Sequence, residues 1–465
     1  MPPRATEYLS QPTGVGHAPP CSKLPSTRFW DGNNPVNSPD ATTALQPAAL
    51  ESYTLALGLC RSGQWTEAIE LFGQAISLAP NCSALWNDCG NALARTGCLQ
   101  DAITYYDRAL VLEPQNPNYW YNRGTALDGA GQLEGALASY QKALNFAPLD
   151  HRLWNNLGVT HFRLGHWEAA AHNYSRSIEL NPTCPRAWHN RGVVLRKLNR
   201  DSEALTCYER SLELEPASAA TWYQRGIVLD NLKRHDEAIA SYDKALGLRD
   251  GDHNIWHNRA ISLRWAGDLA GALESYQKAI TFDAADADTW YYRGRLMRQL
   301  GRIREAIASY DLSLTLNPEQ PNAWYDRGNA LFAIGQLQAA INSYDETIKR
   351  DPTKPTPWYN RGLAQLRLRQ PEAALRSYLK AAERGLSLPE LQFCQACCYL
   401  LQTQRSDCSD WERQTALDRA ASCLQAAIAA NPDRYGSFAT AHQLFEPVKP
   451  DANGRIKPLK GSSVS

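Results

Sequence analysis

The sequence predicts an all-α fold, a solenoid of repeated helical hairpins, and three observations carry that expectation. The pentapeptide W-Y-N-R-G stands at Trp120–Gly124 and again at Trp358–Gly362, 238 residues or seven times 34 apart. The intervening multiples of 34 are filled by W-N-N-L-G from Trp154, W-H-N-R-G from Trp188, W-Y-Q-R-G from Trp222, W-H-N-R-A from Trp256, W-Y-Y-R-G from Trp290 and W-Y-D-R-G from Trp324, and a further copy, W-N-D-C-G, begins at Trp86. Within each period, apolar and small residues recur at steps of three and four in two separate stretches, which marks two amphipathic helices. Gly or Asn stands between the two stretches and Pro near the end of most periods, residue types that terminate helices. A fixed internal period in 465 residues overrides the usual expectation of two or three globular domains and argues for one array.

Taken in order, residues 1–48 are rich in Pro, Ser, Thr, Asn and Gly and read as a disordered tail. Ten units of 34 residues then fill 49–388, starting at 49, 83, 117, 151, 185, 219, 253, 287, 321 and 355, with Trp at position 4 of all but the first. Position 8 is Gly except for Ala56 and Ala260, position 20 is Ala from Ala68 to Ala374, and position 24 is Phe72 and thereafter Tyr, from Tyr106 to Tyr378. Small residues at positions 8 and 20 let two helix backbones approach, and the large aromatics fill the space beside them. Gly97, Gly131, Gly165, Gly267, Gly301 and Gly335, with Asn199 once, suit the left-handed residue that ends a first helix. The sixth unit ends G-L-R-D-G-D and the seventh T-F-D-A-A-D, both without Pro, so a bend in the array is expected at these junctions. Residues 389–432 read as a degenerate capping unit with an inserted loop, Q-T-Q-R-S-D-C-S-D-W-E-R, and 433–465 as a second disordered tail.

The W-x3-G, A-x3-[FY]-x2-A and terminal Pro pattern resembles the tetratricopeptide repeat in register over about 340 residues. The resemblance implies a right-handed superhelix, with first helices lining a concave face and second helices a convex one. It also implies a binding function, since such arrays commonly hold a protein or peptide client in the groove. The chaperone-binding members clamp a terminal carboxylate with Lys at position 5 and Asn at position 9, but position 5 carries no Lys here. Binding to chaperone tails is therefore not expected.

Composition narrows the function classes. There are 48 basic and 48 acidic residues, so no overall positive field favours nucleic acid. The opening M-P-P-R-A-T-E-Y-L-S lacks the apolar core of a secretory signal, and no run approaches the roughly 20 apolar residues of a membrane span. A cytoplasmic protein is expected. The twelve cysteines lack the regular pairing of a disulfide framework. Cys394, Cys397 and Cys398, spaced i, i+3, i+4, read as small buried residues rather than zinc ligands, because structural zinc sites usually space their ligands around turns. No phosphate-binding loop, nucleophile elbow, H-E-x-x-H or dinucleotide fingerprint is present, so neither an enzyme nor a cofactor is expected.

Three columns of the first helix are candidates for function. Position 6 holds Asn122, Asn156, Asn190, Gln224, Asn258 and Asn360, among others. An amide offers both donors and an acceptor, as an extended peptide backbone requires, whereas Asn is a mediocre helix former whose recurrence in mid-helix needs a reason. Position 5 adds Tyr121, Tyr223, Tyr291, Tyr325 and Tyr359, with His189 and His257 elsewhere in the column, residue types common at contact surfaces. Together these residues predict a groove that binds an extended protein segment. The alternative is an assembly factor that docks folded subunits on the array surface. Position 7 is Arg at 123, 191, 225, 259, 293, 327 and 361, and acids at position 25 of the second helix make interhelical salt bridges the favoured reading over an anion track.

Overall fold

The computed structural model describes residues 45–441, 443–448, 450 and 456. Most of the tail expected over 1–48, and much of the one expected over 433–465, lie outside the described residues. Helix follows helix throughout, and among the described residues the sole β feature is an isolated antiparallel bridge between Pro450 and Ile456. The chain divides into two compact blocks, Met1–Asp250 and Gly251–Ser465, and the division falls at the first junction that lacks Pro.

The N-terminal block holds repeats 1 to 6, from Pro47–Arg61 paired with Trp65–Leu78 to Ala219–Asn231 paired with His235–Leu248. The C-terminal block runs from His253–Ala266 paired with Leu269–Phe282 to Pro389–Thr403 paired with Asp410–Ala430. In each block a second helix packs on its own first helix and on the next one, and from repeat 2 onward consecutive first helices touch. No hairpin buries its apolar faces alone, so its neighbours complete the core.

The 34-residue pattern now has contacts behind it. At position 8 a side chain would strike the aromatic ring at position 24: a Cβ on Gly226 would lie 2.7 Å from Tyr242 Cζ and 2.8 Å from Cδ1. Seven position 4 tryptophans, Trp86, Trp120, Trp154, Trp188, Trp222, Trp290 and Trp324, point their Nε1–H at the carbonyl six residues earlier, as Trp120 does to Pro114 at 2.8 Å and Trp222 to Pro216 at 2.9 Å. Each of these rings thereby ties a first helix to the turn before it. Asn199, Lys233 and Arg369 take the left-handed turn conformation that glycine holds in other repeats. At the two junctions without Pro, Asp252 and Asp286 cap the following helices by accepting from the backbone N–H of Asn254 and Asp288, so a cap supplies the boundary instead.

Two expectations at the C-terminal end need correction. The inserted loop shrinks to a short turn, because the first helix of repeat 11 runs on to Thr403 and the second starts at Asp410 with a Ser409–Glu412 capping box. Pro432–Gly436, Ser437–Ala441 and Gln443–Val448 are short helices rather than a tail. Their aromatics explain this: Phe445 is fully buried, its ring centroid 5.3 Å from Phe393, and Tyr435 lies 5.2 Å from the same ring. That cluster covers the end of the core, a task the sequence reading gave to 389–432 alone.

Candidate ligand-binding face of the first helices

Positions 5 and 6 meet across repeats. Tyr53 donates its hydroxyl to Asp88 Oδ2 at 2.8 Å, Asn122 Nδ2 to Asn87 Oδ1 at 2.8 Å, Tyr291 to Asp326 Oδ2 at 3.0 Å, and Asn360 Nδ2 to the Tyr325 hydroxyl at 3.0 Å. In each pair position 5 of one repeat meets position 6 of the next. The geometry follows from the period, since the residue after a full repeat lies beside its counterpart on the neighbouring helix.

Several rungs are therefore spent inside the protein. Asn122 is 1% exposed and its amide nitrogen serves Asn87, while its Oδ1 is buried without a hydrogen-bond partner, so it links repeats and its burial keeps it from being an open rung of a ladder. This corrects the reading of Asn122 as a groove residue. Asn360 also donates to Asn329 Oδ1 at 2.9 Å, and Asn258 bonds back to the carbonyl of Asn254 at 2.9 Å. The position 5 tyrosines are half-buried and pack on the position 24 tyrosine of their own repeat: Tyr121 on Tyr140, Tyr223 on Tyr242, Tyr291 on Tyr310, Tyr325 on Tyr344 and Tyr359 on Tyr378, with centroids 5.9–6.2 Å apart. They contribute to the core first, and only part of each ring is available to anything else.

Repeats 4 to 6 differ. Asn156, Asn190 and Gln224 are all half-buried. Asn156 Oδ1 accepts from Asn155 Nδ2 at a long 3.3 Å, and Asn190 has no side-chain hydrogen bond among the described residues. Gln224 Oε1 and Asn155 Oδ1 are buried without a hydrogen-bond partner there. A buried amide acceptor left unmatched costs roughly 1–3 kcal/mol, which an incoming donor would offset.

Electrostatics differ along this face. Asp88 is buried against Tyr53, Asn87 and Asn91; burial pushes its carboxyl up to about 6 while the three hydrogen bonds pull it down. His189 and His257 give ring nitrogens to Thr221 and Thr289 at 2.8 and 2.7 Å. Burial holds both imidazoles down at about 4, so they are neutral at pH 7. The sequence reading missed Asp128, which accepts from Thr160 at 3.1 Å and from Arg163 Nη1 at 2.6 Å in the next repeat. Its place at position 12 of a first helix was the available signal.

The position 7 arginines resolve as packing. Arg123, Arg225, Arg259, Arg293, Arg327 and Arg361 lie with Cζ 5.7–5.8 Å from the ring centroid of the Trp three residues earlier. Each donates to the position 23 serine of its own second helix, as Arg225 Nη1 does to Ser241 at 2.7 Å. Four also reach the acid of the preceding repeat: Arg123 to Asp107, Arg225 to Glu209, Arg327 to Asp311 and Arg361 to Asp345, at 2.5–3.1 Å. Each such Arg joins three helices.

Family comparisons agree with this architecture. Models described as tetratricopeptide or TPR repeats match residues 53–117 and 90–151, then 151–184, 185–218 and 219–252, and finally 294–335 and 328–368. The chain belongs to the tetratricopeptide repeat family. No curated protein matched it. Among solved structures, MamA is 22% identical, covers 37% of this chain and 94% of its own, and has a TM-score of 0.35. YrrB, described as a TPR protein with an unusual peptide-binding site, is 22% identical over 39% of this chain and 94% of its own, with a TM-score of 0.35. Yeast Tom70 is 13% identical over 80% of this chain and 99% of its own, with a TM-score of 0.38. Among the described residues of this tetratricopeptide repeat protein, no helix is long and apolar enough to cross a membrane.

Proposed function

We propose that the protein is a non-enzymatic interaction scaffold which holds an extended protein segment along the first helices of repeats 4 to 6. Asn156, Asn190 and Gln224 bond the segment's backbone. The supporting observation is that these position 6 amides stay partly accessible and have no hydrogen bond to a neighbouring repeat, whereas Asn122 of repeat 3 and Asn360 of repeat 10 bond to the preceding repeat. Packed helices stand about 8–10 Å apart, which is about three residues of an extended chain at ~3.3 Å each. Three amides therefore register with a segment of about six to nine residues. Tyr223 supplies apolar area beside Gln224, as position 5 beside position 6.

A benzophenone amino acid placed at Asn190 tests the location. Cross-linking to a protein partner from lysate is expected at this position and not at the exposed Asn322 on repeat 9. Equal yields at both positions would remove the assignment to repeats 4 to 6. A partner that cross-links only through second-helix positions would favour docking of a folded subunit instead.

A further inference from the structure

Repeat 4 departs from the 34-residue pattern at a place that packing does not explain. Position 11 of the first helix is Leu or Met in every other repeat up to the ninth and Gln365 in the tenth, but His161 here. In the flanking repeats this column belongs to the core, with Leu127 4% and Leu195 1% exposed. An imidazole in place of a buried leucine brings polar nitrogens that need a partner. Position 16 of the same repeat is a second histidine, His166, where other repeats carry Gln, Arg, Cys or Asp.

The two rings meet across the turn of the hairpin. His161 lies in the last turn of the first helix, His151–Arg163, and His166 at the cap position before the second, Trp167–Leu180. Between them Gly165 takes the left-handed conformation at φ 77°, and the His166 backbone N–H donates to the His161 carbonyl at 2.9 Å. Phe162 and Trp167, the next residue after each histidine, pack edge to face with centroids 5.1 Å apart. The backbone and the flanking aromatics thus hold the two histidines in place.

His161 Nδ1 lies 3.4 Å from His166 Nδ1, and neither ring makes another side-chain hydrogen bond among the described residues. The separation exceeds the ~2.7–3.2 Å usual for an N–H donor. It equals the span of two imidazole nitrogens held ~2.0–2.1 Å from one tetrahedral ion, which is about 3.4 Å.

We propose that His161 and His166 chelate a zinc ion through their Nδ1 atoms. Imidazole nitrogen selects zinc over magnesium and calcium, which take oxygen ligands. Among the described residues no third His, Cys, Asp or Glu joins the pair, and His166 is exposed, so water completes the shell. The pair shares no residue with the amides of repeats 4 to 6, so either assignment can fail alone.

The test is isothermal titration of the chelator-treated full chain with zinc chloride at about pH 7.5, where histidine is the neutral ligand, with magnesium chloride as the control. Saturable zinc binding is expected, with no response to magnesium. His161→Leu restores the residue of the neighbouring repeats, and His166→Gln the residue found at Gln132 and Gln336, so both variants should fold. Each should weaken zinc binding at least roughly tenfold. In NMR of the parent, zinc should shift the ring nitrogens of His161 and His166 and leave the other histidines unmoved, a readout that does not depend on the variants. Absence of zinc binding by the parent up to about 1 mM would overturn the proposal. So would equal affinity in the parent and the folded variants, or ring shifts at other histidines only, either of which would assign the ion to another site.

Discussion

Replacing Arg225 with Leu separates packing from ligand binding at position 7. Arg225 stacks over Trp222 with Cζ 5.8 Å from the ring centroid, donates to Ser241 Oγ at 2.7 Å and to Glu209 at 3.1 Å. The side chains of Arg225 and Glu209 are 16% and 45% exposed, so solvent screens the ion pair and it contributes at most about 1 kcal/mol. Stacking on Trp adds about 0.5–1 kcal/mol and the Ser241 hydrogen bond about 1 kcal/mol. Ser241 keeps its own donation to Glu237 O at 2.8 Å, and the half-exposed Glu209 can be hydrated, so no large penalty for stranded groups is added. Arg225→Leu should therefore destabilise by about 1–3 kcal/mol, whereas Glu209→Gln should cost less than about 1 kcal/mol. Urea denaturation followed by circular dichroism measures both. The reasoning fails if Glu209→Gln costs as much as Arg225→Leu, or if Arg225→Leu is neutral to folding yet abolishes partner recovery.

Gly226→Ala should destabilise by about 1–3 kcal/mol because the new methyl meets the buried Tyr242 ring. Gly58→Ala, in a helix where nothing lies within 4 Å of a Cβ, should instead stabilise by about 0.5–1 kcal/mol; same-direction shifts in unfolding midpoint would contradict the close-approach explanation. Burial raises the Asp88 carboxyl from 3.8 to about 6, so the folded state binds its proton more tightly than the unfolded chain. Its contribution to stability is present below pH 4 and lost as pH rises through 6. At about 1.4 kcal/mol per pKa unit, Asp88→Asn should gain on the order of 3 kcal/mol at pH 7 and little at pH 4; a gain independent of pH in parallel denaturation curves would rule this out. Phe445→Ala should cost about 3 kcal/mol through the Phe393–Tyr435 cluster, read as selective loss of hydrogen-exchange protection in repeat 11.

The period made the hairpins legible. Trp120 and Trp358 mark equivalent places, and the glycine recurring at position 8 and the tyrosine recurring at position 24 turn out to be one contact seen many times. Periodicity could not tell which columns face a partner, because positions 5 and 6 lie on the same edge of each helix whether they bond a client or the next repeat. Asn122 and Asn190 occupy the same column and each faces an asparagine at position 5 of the preceding repeat, yet Asn122 bonds Asn87 whereas Asn155 turns its amide to Asn156. The pairing each side chain adopts, which residue type does not reveal, separates a spent rung from an open one. At the C-terminus the polar appearance of 433–465 hid Tyr435, Phe438 and Phe445, which lie at irregular spacing and match no helical template.

The central claim is tested most directly by quantitative mass spectrometry of proteins recovered from lysate by the full chain and by a triple variant, Asn156→Ala with Asn190→Ala and Gln224→Ala. Surface changes of this kind usually fall within about 0.5 kcal/mol each, so the melting temperature should hold. Each lost amide contact contributes on the order of 1 kcal/mol, so recovery of the principal partner should fall at least roughly tenfold, while Asn322→Ala should recover it like the parent. Undiminished recovery by a folded triple variant would contradict the amide ladder of repeats 4 to 6.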